Sequence, residues 1–261
     1  MILTADYHTH TVFSHGKGTI LDNAAAAKEK GLKTIAITDH GFSHPAFGMR
    51  RKELPEMREK INEAISVTGV NVLLGTESNI LGVDGKTDVK EKDYEKLDIF
   101  LSGIHRFIYY DKLYEWFKLL GANYFARKFK KGAGEKLIKR NTLVYINAIK
   151  NNPIDILTHP NFLVFANAEE VAKCCRDYGT YFEINSRKTH LTFDEWEKVI
   201  ATGVDFVVDS DAHIPENVGN VSLGFEVIKE HNIPLSRIKN IDGKEPERFR
   251  FKAVSYTHLT L

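Results

Sequence analysis

A closed barrel of parallel strands wrapped by helices is the α/β fold this sequence predicts. Short apolar runs alternate with capped helical segments along most of the chain. The runs are largely continuous, as in strands buried on both faces, rather than alternating apolar with polar. Seven of them in 261 residues suit closure better than an open doubly wound sheet, and no G-x-G-x-x-G follows the first.

The elements follow in order. Leu3 to His8 reads as the first strand. Alternate strand residues share a face, so His8 and His10 point the same way at its C-terminal end. Thr19, with Asp22 three residues on, caps a helix that Gly31 closes, and Thr34 to Thr38 is the second strand. A helix from about Glu53 to Thr68 ends at Gly69, and Asn71 to Leu74 is the third strand. Ile99 to Leu101 and Ile154 to Leu157 are the fourth and fifth. Asn167 with Glu170 forms a capping box, Gly179 ends that helix, and Tyr181 to Ile184 is the sixth strand. Thr192 with Glu195 repeats the box, and Gly203 precedes Asp205 to Val208, the seventh. A polar cap at the start and a glycine just past the end is the expected asymmetry of a helix.

Residues 106–152 break this rhythm. They hold Tyr109, Tyr110, Tyr114, Trp116, Phe117, Tyr124, Phe125 and Phe129, with the basic run Arg127-Lys128-Phe129-Lys130-Lys131. We read a helical insertion after the fourth strand, lying over the barrel mouth. Basic residues among aromatics can bind nucleic acid. A solvated helix with an apolar underside is the plainer reading, and a lid whose lysines attract an anionic substrate is a third. No other segment has linker composition, so residues 1–253 read as one domain. Residues 254–261 resemble a translated sequencing-adaptor tail and are read as non-native.

Composition narrows the class. A net charge of +1 gives no global pull toward nucleic acid or an anionic membrane. No apolar run approaches the roughly 20 residues of a membrane helix. Asp6, His8 and His10 stand too early for a signal peptide. Cys174 and Cys175 are adjacent and cannot staple distant segments. Together these point to a cytoplasmic protein.

The histidines carry the chemistry. Of 11, seven (His8, His10, His15, His40, His105, His159 and His213) fall at one end of successive strands, whereas His44, His190, His231 and His258 do not. Glu77 follows the third strand and Asp211 the seventh. A lone histidine after a strand is usually a hydrogen-bonded loop residue, but scattered structural histidines would not sort in this way. Asp211-x-His213 repeats the geometry of His8-x-His10, and the first and last strands of a barrel are neighbours.

Nine donors exceed the needs of one ion, since a catalytic zinc takes about three protein ligands. Two or three divalent ions are implied. Mixed imidazole and carboxylate donors suit zinc, with manganese or iron as alternatives. Clustered ions activate a water to hydroxide near neutral pH and hold the attacking and leaving oxygens in a displacement at phosphorus. Such a reaction needs no Ser or Cys nucleophile, and no G-x-S-x-G is present. Glu77 and Asp211, as bridging acids, and His213 are the expected catalytic residues. Arg106, Arg187 and Lys188 flank the donor loops and match phosphate oxygens, although a surface cation is the plain alternative for each. Asn185 fills the strand end that lacks a metal donor and is expected to orient substrate or water.

These residues resemble the PHP (polymerase and histidinol phosphatase) family of metal-dependent phosphoesterases. The resemblance rests on Asp6-Tyr7-His8-Thr9-His10-Thr11, His15, Ile37-Thr38-Asp39-His40, Glu77, Ser102-Gly103-Ile104-His105, Thr158-His159-Pro160 and Asp209-Ser210-Asp211-Ala212-His213. It is strongest toward the stand-alone YcdX-like phosphatases. It implies a distorted (β/α)7 TIM-like barrel with a three-metal site at the strands' C-terminal ends. By that pattern His8, His10, Glu77 and Asp211 hold one ion, His15, His40 and His213 a second, and Glu77, His105 and His159 a third. The expected activity is hydrolysis of a phosphate monoester of a small metabolite, with no membrane or nucleic-acid partner and the oligomeric state open. The stretch between His105 and His159 is longer than the subgroup's, so its substrate preference does not carry over.

An amidohydrolase-type barrel also begins with H-x-H. It often places a carboxylated lysine where His105 stands here, and it leaves His15, His40 and Glu77 unexplained. A PHP-type exonuclease acting on nucleic acid has the basic insertion in its favour. A non-catalytic metal-stabilised barrel is the last alternative, and the complete donor set argues against it.

Overall fold

A computed structural model of the chain describes residues 1–110, 112–128 and 133–246. Seven parallel strands form one sheet in sequence order: β1 (Ala5–Thr9), β2 (Thr34–Ile37), β3 (Asn71–Asn79), β4 (Ile99–Gly103), β5 (Ile156–Leu157), β6 (Tyr181–Asn185) and β7 (Phe206–Asp209). The described helices are α1 (Ile20–Glu29), α2 (Leu54–Thr68), α3 (Glu91–Tyr94), α4 (Leu113–Trp116), α5 (Ala122–Lys128), α6 (Glu135–Asn151), α7 (Ala168–Tyr178), α8 (Phe193–Ala201) and α9 (Ser222–Glu230). The sheet curls into a nearly closed, distorted (β/α)7 barrel. Among the described residues no helix is long and apolar enough to cross a membrane. The tail at 254–261 lies outside the described residues.

Burial on both strand faces produces two cores. The inner one is small: Ala5, Tyr7, Ala36, Ile99, Leu101, Ile156 and Val207. The outer, much larger one lies between strands and helices. Local signals hold where they were read. Thr19 and Asp22 form a capping box, as do Thr192 and Glu195, and Gly69 and Gly179 close α2 and α7 in the left-handed conformation. At α7 the box is only half formed. Asn167 Oδ1 accepts from Glu170 N at 3.3 Å, but the Asn167 backbone N–H donates to Thr142 Oγ1 at 2.8 Å. That bond ties α7 to α6.

Two elements differ from expectation. β3 runs on to Asn79, so Glu77 lies within the strand rather than after it. Gly75 and Thr76 continue the ladder to β4 instead of turning. The glycine is needed there: a Cβ would stand 2.5 Å from Ile99 Cγ2. In β1 the pairing to β2 shifts register between Asp6 and Thr9. Tyr7 belongs to the inner core, and strict alternation would send His8 outward. The irregularity lets both side chains point inward.

Closure between β1 and β7 relies on side chains. One bridge, Thr9 with Ala212, joins the upper ends. Below it, Tyr7 N donates to Asp209 Oδ1 at 2.8 Å. Asn240, fully buried, donates through Nδ2 to Ala5 O at 2.9 Å and Val208 O at 2.8 Å, and its Oδ1 accepts from Val208 N at 3.0 Å.

Within 106–152, α6 runs beside α7 and joins β4 to β5. α4, a π-helical turn (Phe117–Gly121) and α5 form an extra layer before it. Arg127 fastens that layer to the loop after β5, donating to Asn161 O at 3.1 Å and Phe162 O at 3.2 Å. Of the basic run, Phe129, Lys130 and Lys131 lie outside the described residues.

Asn240→Ala leaves Ala5 O, Val208 N and Val208 O without partners. It should lower the unfolding free energy by about 2–4 kcal/mol, measured by urea titration. Asn240→Asp should not rescue it, because a carboxylate donates to neither carbonyl.

Candidate metal centre

Glu77, 1% exposed, stands at the middle of the barrel mouth. Its Oε1 lies 2.6 Å from His159 Nε2, 2.9 Å from His105 Nε2 and 3.3 Å from His8 Nε2. Its Oε2 lies 2.8 Å from His40 Nδ1 and 3.6 Å from His10 Nε2. Asp211 Oδ1 closes the far side, 3.4 Å from His10 Nε2 and from His213 Nδ1, and 3.8 Å from His8 Nε2. His15 joins at the rim through its ring, stacked on His40 at 4.8 Å and edge-on to His213 at 4.3 Å.

All nine sequence-selected donors therefore form one cluster. Three sets have donor atoms within 4.8 Å of one another: His8, His10 and Asp211; His10, His40 and His213; His40, Glu77 and His105. The first is the grouping implied by the resemblance without Glu77, whose Oε1 lies 3.3 Å from His8 Nε2. In the second, His10 stands where His15 was expected. In the third, His40 stands with Glu77 and His105, while His159 contacts Glu77 directly.

These residues fit divalent cations. His8 Nε2, His10 Nε2, His40 Nδ1 and Glu77 Oε2 are buried without a hydrogen-bond partner, yet they face one another. An unsatisfied buried polar atom costs about 1–3 kcal/mol, so gathering several is uneconomical unless a cation fills their lone pairs. Ionisation runs the same way. Burial opposes the charge of Glu77, but His105, His8 and His40 outweigh it and hold the carboxyl well below its usual range. Asp211 is lowered likewise, burial being overcome by His8 and His10. Burial and then His40 push His10 well below an ordinary imidazole, and the same causes, with His213, bring His15 to about 4. Burial also lowers His105 and His213. Ionised carboxylates and neutral imidazoles are the ligating forms. His8 and His159 go the other way: Glu77 and Glu183 overcome their burial and raise both.

A second layer of acids fixes this ring. Glu183 Oε1 is 2.5 Å from His8 Nδ1, while its Oε2 accepts from the His159 backbone N–H at 2.5 Å and from Asn185 Nδ2 at 3.1 Å. Asp39 accepts from Thr11 N, Thr11 Oγ1 and Ser14 Oγ, which sets the loop from His10 to His15. Asp6 accepts from Ser210 N, Ser210 Oγ and Gly219 N, which sets the loop carrying Asp211. Sequence reasoning missed Glu183. Its signal was an acid between Phe182 and Ile184, in an otherwise apolar run and one alternation before Asn185. His159 (φ 27°) and Asp211 (φ 51°) are left-handed, a conformation that costs such residues about 1–3 kcal/mol. Gly103 makes room for the first: a Cβ there would lie 2.4 Å from Thr158 Oγ1 and 2.9 Å from His159 Cε1.

Above the cluster opens a cavity of about 510 Å³, and Arg106, Asn185, Arg187 and Lys188 all line it. Arg187 Nη1 is 3.1 Å from His213 Nδ1 and 3.7 Å from Asp211 Oδ1. Asn185 Oδ1 accepts from the backbone N–H of Arg187 and Lys188, and its Nδ2 donates to Asp211 Oδ2 at 3.3 Å. Two histidines set apart in the sequence also reach this cavity: His44 from the loop after β2 and His190 from the loop after β6. Loop conformation, which no strand period encodes, brings them in. Burial, with His40 beside one and His159 beside the other, brings each to about 4.

The chain is also similar to known proteins. A sequence profile of the PHP domain matches residues 6–187, more than half of the chain. A protein of Thermoanaerobacter sp. named "Probable phosphatase" is 34% identical over 97% of this chain and 96% of its own. One of the same description from Caldanaerobacter subterraneus is 32% identical over 91% and 87%. Among solved structures, histidinol phosphate phosphatase from Lactococcus lactis, complexed with zinc, L-histidinol and phosphate, superposes with a TM-score of 0.61. It is 15% identical, with 89% of this chain and 95% of that chain covered.

Glu183→Ala removes the partner of His8 without touching a cavity-facing donor. Zinc affinity, measured by competition with a chromophoric chelator, should fall about 10–100-fold. Wild-type affinity in that variant would show that Glu183 does not orient the ring.

Proposed function

The chain belongs to the PHP family, and from that premise we propose that it is a metal-dependent phosphatase hydrolysing phosphate monoesters of small metabolites. One observation carries the reading: partnerless imidazole and carboxylate atoms converge beneath a cavity rimmed by Arg106, Arg187 and Lys188. Cationic walls over a metal-binding floor suit a small dianion. The names of the curated relatives support the same class, as do the zinc and phosphate in the Lactococcus lactis structure.

His8, His10, Glu77 and Asp211, then His15, His40 and His213, then Glu77, His105 and His159 would hold up to three divalent ions, zinc best matching the donors and manganese or iron also suiting them. Bound there, such ions supply positive charge for phosphoryl oxygens and lower the pKa of water. The chain's own groups do the rest. The Arg187 guanidinium forks onto phosphate oxygens, with Arg106 and Lys188 adding charge at the rim. Asn185 holds the Arg187 and Lys188 backbone and aims Asp211. His213 Nδ1 lies 2.9 Å from Asp211 O, and a proton on Nδ1 leaves the lone pair on Nε2, 3.3 Å from Arg187 Nη1. Phe47 and Phe162 narrow the mouth and limit water.

Chelation should abolish hydrolysis of p-nitrophenyl phosphate, and zinc or manganese should restore it. Glu77→Ala and Asp211→Ala should each lose turnover and bound metal, read by elemental analysis. Full activity in either would remove it from the site. Arg187→Ala should raise KM roughly tenfold, the loss of one charge-assisted contact.

A further inference from the structure

Asp88, 6% exposed, follows the turn that leaves β3, where Thr87 bridges Ile80 and the Asp88 N–H donates to Asn79 O at 3.2 Å. Five neutral groups donate to its carboxylate. Oδ1 accepts from Ser78 Oγ at 2.7 Å and from Asn79 N at 3.0 Å. Oδ2 accepts from Ser43 N and Ser43 Oγ, both at 2.8 Å, and from Asn79 Nδ2 at 2.6 Å. The carboxylate is seated on the Gly41 backbone: a Cβ there would stand 2.5 Å from Oδ2 and 2.6 Å from Oδ1. These partners flank candidate metal donors. Gly41 and Ser43 belong to the loop of His40, and Ser78 and Asn79 follow Glu77 in β3. That loop passes the constraint on. Gly41 N donates to Glu77 O at 2.8 Å, and Ser43 O accepts from Tyr109 N at 2.8 Å, in the loop that carries His105. His40, Glu77 and His105 form one of the three compact donor sets, so one carboxylate ties together the three chain segments that deliver it. The set of His8, His10 and Asp211 comes instead from β1 and the loop after β7, where Asp39 and Asp6 are the anchors.

We propose that Asp88 is the positioning residue of the His40, Glu77 and His105 donor set: it fixes the spacing of these three side chains and thereby the affinity of the ion they would hold. The inference rests on the metal-dependent reading above. The position calls for a carboxylate. Each of its oxygens takes one backbone N–H, Asn79 N on one and Ser43 N on the other. An amide, in either orientation, would turn its own NH2 toward one of them. In Asp88→Asn either β3 or the loop of His40 therefore loses its anchor. Bonds to an ionised acceptor are also shorter and stronger than bonds to a neutral one. Polar partners behind metal ligands govern affinity through ligand orientation.

The test compares Asp88→Asn with wild type by two measurements. In the first, zinc affinity is resolved ion by ion through competition with a chromophoric chelator. At least one ion should weaken about 10–100-fold, while at least one, held by the donors of β1 and the loop after β7, keeps its wild-type affinity. Unchanged affinities overturn the proposal. So does a uniform fall across all ions, which a general loosening of the fold would give. The second measurement needs no metal: amide hydrogen exchange of the zinc-free proteins, followed by mass spectrometry. Exchange should quicken at residues 40–44 and 105–109 and stay as in wild type at residues 8–11 and 210–213. Quickening everywhere, or nowhere, overturns the proposal. Ser43→Ala removes one donor and leaves the carboxylate in place. It should give the same pattern at smaller amplitude, and it carries both measurements if Asp88→Asn does not fold. Neither measurement involves turnover. Zinc-loaded wild type that hydrolyses no phosphate ester sinks the phosphatase reading and leaves the result on Asp88 standing, whereas wild type that binds no zinc overturns both.

Discussion

Five imidazoles approach the Glu77 carboxylate within 3.6 Å, from the ends of β1, β2, β4 and β5. A buried carboxylate is tolerated only beside positive charge, and imidazoles at such distances repel one another once protonated. Both demands are met when the acids are ionised, most imidazoles are neutral and a cation occupies the centre. The rest of the upper barrel serves that arrangement. Glu183 aims His8 and pins the His159 backbone, Asp39 sets the turn to His15, and Asp6 sets the loop of Asp211. Each is a buried carboxylate that accepts backbone N–H groups, a geometry that rigid loops need and apolar packing cannot supply.

This polar mouth is costly for the barrel. A TIM barrel ordinarily fills its interior with stacked apolar layers. Here the inner core is limited to residues such as Ala5, Tyr7, Leu101 and Val207, because the space above goes to histidines and acids. Cohesion shifts outward to the helix–strand layer and to discrete side-chain bonds. Asn240 is the clearest case, since its amide imitates a strand between β1 and β7. The insertion is likewise fastened by a few polar links, Arg127 chief among them.

Much of this was legible in the sequence, for local reasons. Caps such as Thr19 with Asp22 and Thr192 with Glu195 act over three residues, so the chain displays them directly. The convergence of the nine candidate donors was legible because each follows or ends an apolar run, and parallel topology carries all such ends to one rim. What escaped depends on distance or on broken periodicity. Glu183 meets His8 across 175 positions, and Asn240 meets Ala5 across 235. The register shift at Tyr7 and His8 has no punctuation residue, and Gly75 looks like a turn until Ile99 is seen against it. His44 and His190 lie on loops, where no repeat foretells direction. The exchange of His10 for His15 beside His40 and His213 is a matter of ring placement, which residue order does not encode.

The seam between the first and last strands has a topological consequence. Ile2 N donates to Asp242 Oδ1 at 2.9 Å, Asp242 N donates to Ile2 O at 2.8 Å, and Leu3 bridges Ile241. Positions 2 and 242 are thus hydrogen-bonded neighbours, and the polypeptide comes full circle around the axis. In such a ring the starting point is arbitrary. A short linker between those positions, with a new break on the helical side of the barrel, would give a circularly permuted chain with every strand-end loop intact.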